Sequence, residues 1–221
     1  MSGADRKLAR SHGAASSQTP ARAGVSAPVT RKIVARPDGV TALQLSIDIT
    51  DLPSPARSYS ADQAMLSFNG SDALHFLFWQ HTIGGKARSM VGVKVYSDAA
   101  MRLHEACAPL RPVLDAFVER NKIAVPTVQL LEEPAQAVSL VATLAQISFA
   151  GFEAEISFFH LSPYGVHVAS RRNESHVPVE PVVQIDLSAA MLASLLRELA
   201  RLAPALPKEE PLPEESTREE T

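Results

Sequence analysis

Cysteine is nearly missing from this chain: Cys107 stands alone among 221 residues. No internal disulfide can form, so the fold needs no oxidising compartment. Long apolar runs are missing too, and nothing approaches the ~20 residues that a membrane helix requires. The N-terminus is basic but no apolar segment follows it, which argues against a secretory signal; a cytoplasmic setting is expected. Its Arg, Ser and Ala content also matches the composition of an organellar transit peptide, with a plain flexible arm as the commoner explanation. Acid is scarce at the start, where residues 1–37 carry seven Lys/Arg against Asp5 alone. Base is scarce at the end, where residues 207–221 carry six glutamates against Lys208 and Arg218. The centre that remains is mildly acidic, which argues against nucleic-acid binding over a broad central surface.

Recognisable chemistry is missing as well. Gly84-Gly85-Lys86 invites a phosphate-loop reading, but Ala87 follows the lysine and no glycine stands at position 80, so an ordinary flexible loop is expected. None of the seven histidines pairs at His-x-x-x-His spacing or adjoins a cysteine, so no metal ligand is nominated. Cys107 and His104 share a predicted helix face, yet a lone cysteine reads as a small buried hydrophobe before it reads as a nucleophile. No Gly-x-Ser-x-Gly elbow occurs. The sequence therefore nominates no catalytic residue and no cofactor.

What is present is a core. Hydrophobic residues make up 46% of the chain, enough for a folded centre over about residues 40–204. Residues 1–38 have no period of two or 3.6 and predict a disordered basic tail; 206–221 predict a disordered acidic one. Val40–Thr50 alternates, with Leu43, Leu45, Ile47 and Ile49 on one face, and predicts a strand closed by Pro53 and Pro55. Ala64–Phe68 and Leu74–Trp79 flank Asn-Gly-Ser-Asp at 69–72 and predict a hairpin. Val91, Val93 and Val95 mark a fourth strand, and Asp98 is placed as the N-cap of a helix that Pro109 and Pro112 divide. Met191, Leu192, Leu195, Leu196, Leu199 and Leu202 form an apolar stripe on a helix over 189–202.

The pattern then recurs. Val128-Gln129-Leu130 echoes Leu43-Gln44-Leu45, and AQISFAGFEAEISFF (145–159) matches AMLSFNGSDALHFLF (64–78) at an offset of 81, with identities at Ala64/Ala145, Ser67/Ser148, Phe68/Phe149, Gly70/Gly151, Ala73/Ala154 and Phe78/Phe159. Residues 93–101 match 183–191 at an offset of 90, aligning Asp98 with Ser188 and leaving nine extra residues in a second loop that holds Tyr164, His167, Arg171, Arg172 and His176. The expected fold is α+β: two tandem repeats, 39–122 and 123–205, each an antiparallel β-meander of three to four strands followed by a helix. With its alternating strands and Ala-Ala-Met helix starts, each half (40–120 and 125–204) resembles a family of small bacterial proteins of unknown function in which such a unit occurs singly. The resemblance implies no chemistry and carries over no site residue.

Two features point to partners. Strand 74–79 is apolar on both faces, so Phe76, Trp79 and the matching Phe159 become candidates for docking another protein or a second copy. Basic residues recur in equivalent loops, Lys86 and Arg88 in the first half and Arg171 and Arg172 in the second, where they either contact an anion or are simply solvated. The expected function is a non-enzymatic protein-binding or assembly role, adaptor or chaperone-like, with the duplicated sheet as a pseudo-dimer. The alternative is nucleic-acid association through residues 1–37. No membrane contact is expected.

Overall fold

The apolar alternation builds two sheets in a computed structural model that describes residues 25–35, 41–68, 72–81, 87–126 and 137–206. The chain runs through β1 (Val25–Ala35), β2 (Thr41–Ile47), β3 (Ser58–Ser60), β4 (Gln63–Phe68), β5 (Ala73–His81) and β6 (Ala87–Tyr96). Helices α1 (Ser97–Ala106) and α2 (Leu110–Arg120) follow, then β7 (Ala137–Ala142), β8 (Leu144–Ala150) and β9 (Glu153–Leu161). Helix α3 (Pro163–Arg172), β10 (His176–Ser188), α4 (Ala189–Leu202) and a 3-10 turn at Ala203–Ala205 complete it. The fold class is α+β, and no helix among the described residues is long and apolar enough to cross a membrane.

One sheet has the order β4-β5-β6-β7, and the other β2-β1-β10-β9-β8 with β3 beside β10. β4, β5 and β6 form an antiparallel meander, with Leu66 opposite Phe76 and Phe76 opposite Val93. β8, β9 and β10 pair antiparallel in the same sense, with Ile147 opposite Ile156 and Ile156 opposite Ile185. Two of the pairings that the sequence did not suggest are parallel: β7 beside β6, and the short β3 beside β10. The chain passes from β3 into β4 through Ala61 and Asp62, and from β7 into β8 through Thr143, changing sheets each time. Both sheets are thereby tied together at two bends.

Between them lies one main core. Leu74, Phe76 and Phe78 point inward from β5, as do Ala154, Ile156 and Phe158 from β9. The Phe158 ring meets Phe76 and Phe78 edge-on, with centroids 5.6 and 6.0 Å apart. Helix α4 closes the core with Met191, Leu192, Leu195, Leu196 and Leu199, all buried, each leucine contributing roughly 1.5–3 kcal/mol by its burial. Ser188 caps this helix, its hydroxyl accepting the Met191 N–H at 3.2 Å. The first helix divides as expected: α1 ends at Ala106, with Cys107 as its C-cap, and α2 restarts after Pro109. Pro112 is tolerated because it lies in the first turn of α2, where backbone N–H groups have no intrahelical partner.

Four expectations need correction. The tail expected to reach residue 38 gives way to β1 at Val25, because Val25, Ala27 and Val29 alternate and find partners on β10 and β2. Pro28 and the adjoining bases hid that period; residues 1–24 lie outside the described residues, as do 207–221, 36–40 and the Val128-Gln129-Leu130 echo. The strand expected at 40–50 exists, but pairs with β1 rather than with the meander. The N-cap of α1 is Tyr96 and not Asp98, which sits in the first turn. The expected loop at 163–172 is helix α3: Ser162 caps it by accepting the Gly165 N–H at 3.4 Å, Pro163 opens it, and Asn173 ends it with φ 54.

Candidate functional site

The aromatic docking candidates turn inward. Phe76 belongs to the main core, and Phe159 to a second cluster with Ala27, Ala169, Val177 and Val179 under α3 and β1. Trp79 lies on the opposite face of β5 from Phe76 and Phe78 but is only 1% exposed, its Nε1–H donating to His81 Nε2 at 3.2 Å. None of the three offers an exposed docking face. Phe76 and Trp79 are buried on opposite faces of β5, which periodicity cannot distinguish from a face awaiting a partner.

The basic candidates are not brought together as a pair of loops. Arg171 and Arg172 are exposed at the C-terminal end of α3, and Arg172 Nη1 is 3.9 Å from Glu174 Oε1. Lys86 lies outside the described residues, and only the backbone of Arg88 is described, within β6. Arg31, expected in the free arm, is instead fixed: its Nη2 donates to the Ala169 carbonyl at 3.0 Å and to the Glu174 carbonyl. These carbonyls lie at the end of α3, where the helix dipole favours a cation.

Cys107 is buried, and burial pushes its thiol up to about 11, with Arg111 pulling weakly the other way. A thiol with so little thiolate near neutrality is packing material rather than a nucleophile. No group of three or more His, Cys, Asp or Glu among the described residues is placed to hold a metal ion.

The outward faces of the two sheets differ in character. Beside β10, a groove of about 690 Å³ sets Glu153, Glu155 and Asp186 among the apolar Phe149, Phe152 and Leu187. Two of its carboxylates are already engaged: Glu155 Oε1 accepts from Ser148 Oγ at 2.8 Å, and Asp186 Oδ1 accepts from Gln184 Nε2 at 2.7 Å. The other sheet presents Met65, His75, Leu77 and Lys94, all partly covered, with Lys94 Nζ 5.1 Å above the exposed Tyr96 ring.

A third region emerges at the edge strand β7, which sequence reasoning passed over. It reads Ala-Val-Ser-Leu-Val-Ala, without charge or proline, and among the described residues pairs only with β6. Val138 and Val141 are 39% and 40% exposed. Alongside runs a groove of about 310 Å³ lined by Arg57, Ser139, Leu140, Val141, His160, Glu180, Pro181 and Val182. Its far wall is the β10 bulge, where the register with β9 shifts between Pro181 and Val183. The uncharged composition of 137–142 was the available signal: natural edge strands usually carry a charge or proline that blocks further pairing.

The fold and these surfaces define a class no narrower than an α+β protein with two bent-strand sheets. No protein-family model, curated protein or solved structure matches the chain.

Proposed function

We propose that the chain is a non-enzymatic protein-binding module of the cytoplasm, built by duplication, that takes an extended uncharged segment of another chain along β7. The observation that carries this is β7 itself: an apolar edge strand, half exposed at Val138 and Val141, beside a groove instead of a covering element. Unpaired N–H and C=O groups on such an edge bond readily to an added strand, while alternate side chains enter flanking grooves. A second copy of the chain is one source of such a segment, because Ala-Val-Ser-Leu-Val-Ala reads nearly alike in both directions and, paired antiparallel about the Ser139–Leu140 midpoint, sets Val138 opposite Val141 and opposes no like charges.

Support for duplication comes from pairing partners. Leu66, Phe76 and Val93 stand across their meander as Ile147, Ile156 and Ile185 do across theirs. β7 lies parallel to the last strand of one meander and β3 parallel to the last strand of the other. These correspondences revise the sequence alignment: the offset of 81 holds between β4 and β8, becomes 80 between β5 and β9, and 92 between β6 and β10. Phe78 therefore corresponds to Phe158, which it touches, and Tyr96 to Ser188, both N-caps. In this reading the halves are 39–122 and 123–205, with β1 as an addition to the second sheet.

The test is a titration of isotopically labelled full-length chain with a synthetic Ala-Val-Ser-Leu-Val-Ala peptide flanked by lysines. Saturable amide shifts at 137–142 and 180–182, lost in Ser139→Lys, are expected. Absence of saturation, or shifts confined elsewhere, removes the proposal.

One observation favours nucleic-acid association as a second reading. Arg31 ties β1 to the end of α3, whose last turn carries the exposed Arg171 and Arg172. Phosphate-dominated affinity falls steeply with salt. Retention of oligonucleotide by the full chain at low salt, and its loss in an Arg171→Ala/Arg172→Ala variant, would support it; equal retention by that variant would not.

A further inference from the structure

We propose that the acidic groove beside β10 is occupied by a segment of the chain's own N-terminal arm, Arg6-Lys7-Leu8-Ala9-Arg10, with the leucine against Phe152 and the three bases facing the carboxylates. Three acids line the groove, and no Lys or Arg is among its lining residues. Asp186 and Glu155 stand directly opposite one another on β10 and β9, and Glu153 follows two residues away on the same outward face of β9. The hydrogen-bond donors to Glu155 and Asp186 are the neutral Ser58, Ser148 and Gln184, which orient the carboxylates and leave their charge in place. Like charges directly opposite in a sheet are destabilising, so a cationic occupant relieves a cost that the fold otherwise carries.

An apolar side chain is called for as well. Phe152 is 62% exposed, and its ring meets Phe117 edge-on at 5.4 Å. Its backbone is fixed: Gly151 turns the chain with φ 61, and the Phe152 carbonyl accepts the Ala189 N–H at 2.9 Å. Residues 6–10 match both demands, with one leucine among three bases whose own stems are apolar. Direction and reach agree with charge. β1 runs antiparallel to β10 with Val25 opposite Val179, so its N-terminal end points toward the Asp186–Ser188 end of β10, where the groove lies. Eight residues of strand separate Val179 from Leu187, roughly 27 Å, whereas the fifteen residues from Arg10 to Val25 span up to about 50 Å when extended. The acidic residues 207–221 would be repelled from the same groove.

The experiment compares the full native chain with the full Arg6→Ser/Lys7→Ser/Arg10→Ser chain, whose substitutions lie upstream of β1 and leave the core untouched. The probe is a synthetic Arg-Lys-Leu-Ala-Arg peptide with blocked ends, added at low salt so that screening is weak. The substituted chain should bind it saturably, with amide shifts at 149–155 and 186–188, and at least tenfold more tightly than the native chain, whose arm competes. Adding Glu153→Gln to the substituted chain should weaken that binding several-fold. In the native chain, the Leu8 methyl groups should show nuclear Overhauser contacts to the Phe152 ring that persist on tenfold dilution and are absent between labelled and unlabelled copies. Equal binding by the native and substituted chains would mean that the groove is open to a basic segment of another protein, and overturns the proposal. Binding to neither chain, or Leu8 contacts seen between copies alone, overturns it too.

Discussion

Replacing Phe158 with alanine tests whether the two sheets share one core. The ring is fully buried and contacts both Phe76 and Phe78 across the interface. A buried phenylalanine removes about 150–250 Å² from water. At ~25 cal/mol per Å², that amounts to roughly 4–6 kcal/mol as an upper bound, since denatured chains already bury part of it. Measured Phe→Ala losses in cores run at about 3–5 kcal/mol, so ~4 kcal/mol is expected here, a large part of a stability of order 5–15 kcal/mol. Phe152→Ala, at a ring 62% exposed, supplies the contrast and should cost under ~1 kcal/mol. Urea unfolding of the full chain, followed by both circular dichroism and the fluorescence of Trp79, the single tryptophan, is the assay. Trp79 is on the sheet opposite Phe158, so loss of the Phe158 ring should move both signals to the same lower midpoint. A cost below ~1 kcal/mol, or a Trp79 transition that stays in place while circular dichroism shifts, would refute a shared core.

Three further outcomes are expected. Ser188→Ala removes a hydroxyl that caps α4 and should cost about 1 kcal/mol, whereas Asp98→Asn, at a position that is not the cap of α1, should cost less; urea midpoints separate the two. Arg31→Ala releases the carbonyls at the end of α3 and should destabilise by ~1 kcal/mol, with amide exchange accelerating in α3 before the main core. Stability should fall between about pH 9 and 11, because the unfolded thiol of Cys107 loses its proton near 9.0 while the folded thiol keeps it to about 11. The unfolded state then binds fewer protons, which favours unfolding by up to ~2 kcal/mol; Cys107→Ala should flatten that part of the profile.

Strands β4, β5, β8 and β9 and helix α4 were legible because each carries an unbroken apolar period and ends in a turn or cap that its residues favour. The division of α1 from α2 was legible in Pro109. Harder to read were elements defined by distant partners. β3 has three residues and exists through its parallel pairing with β10, so no local period announces it. β7 looks like any apolar run until its pairing with β6 makes it an edge. Helix α3 had signals in Ser162-Pro163 and Asn173, but its low apolar content made a loop the default expectation. The candidate sites were less legible still. Phe76, Trp79 and Phe159 were chosen for apolarity, the same property that buried them, while Val138 and Val141 drew no attention because their exposure depends on β7 lying at a sheet edge.

The central claim is that β7 is an edge open to a second strand, and hydrogen exchange along 137–142 tests it most directly. In the full chain alone, amides of β7 that do not bond to β6 should exchange far faster than those of β9. Saturating Ala-Val-Ser-Leu-Val-Ala peptide should slow them at least tenfold, and Ser139→Lys should abolish the protection. Uniformly slow exchange across β7 without peptide, unchanged on its addition, would mean that the edge is already closed and the account is wrong.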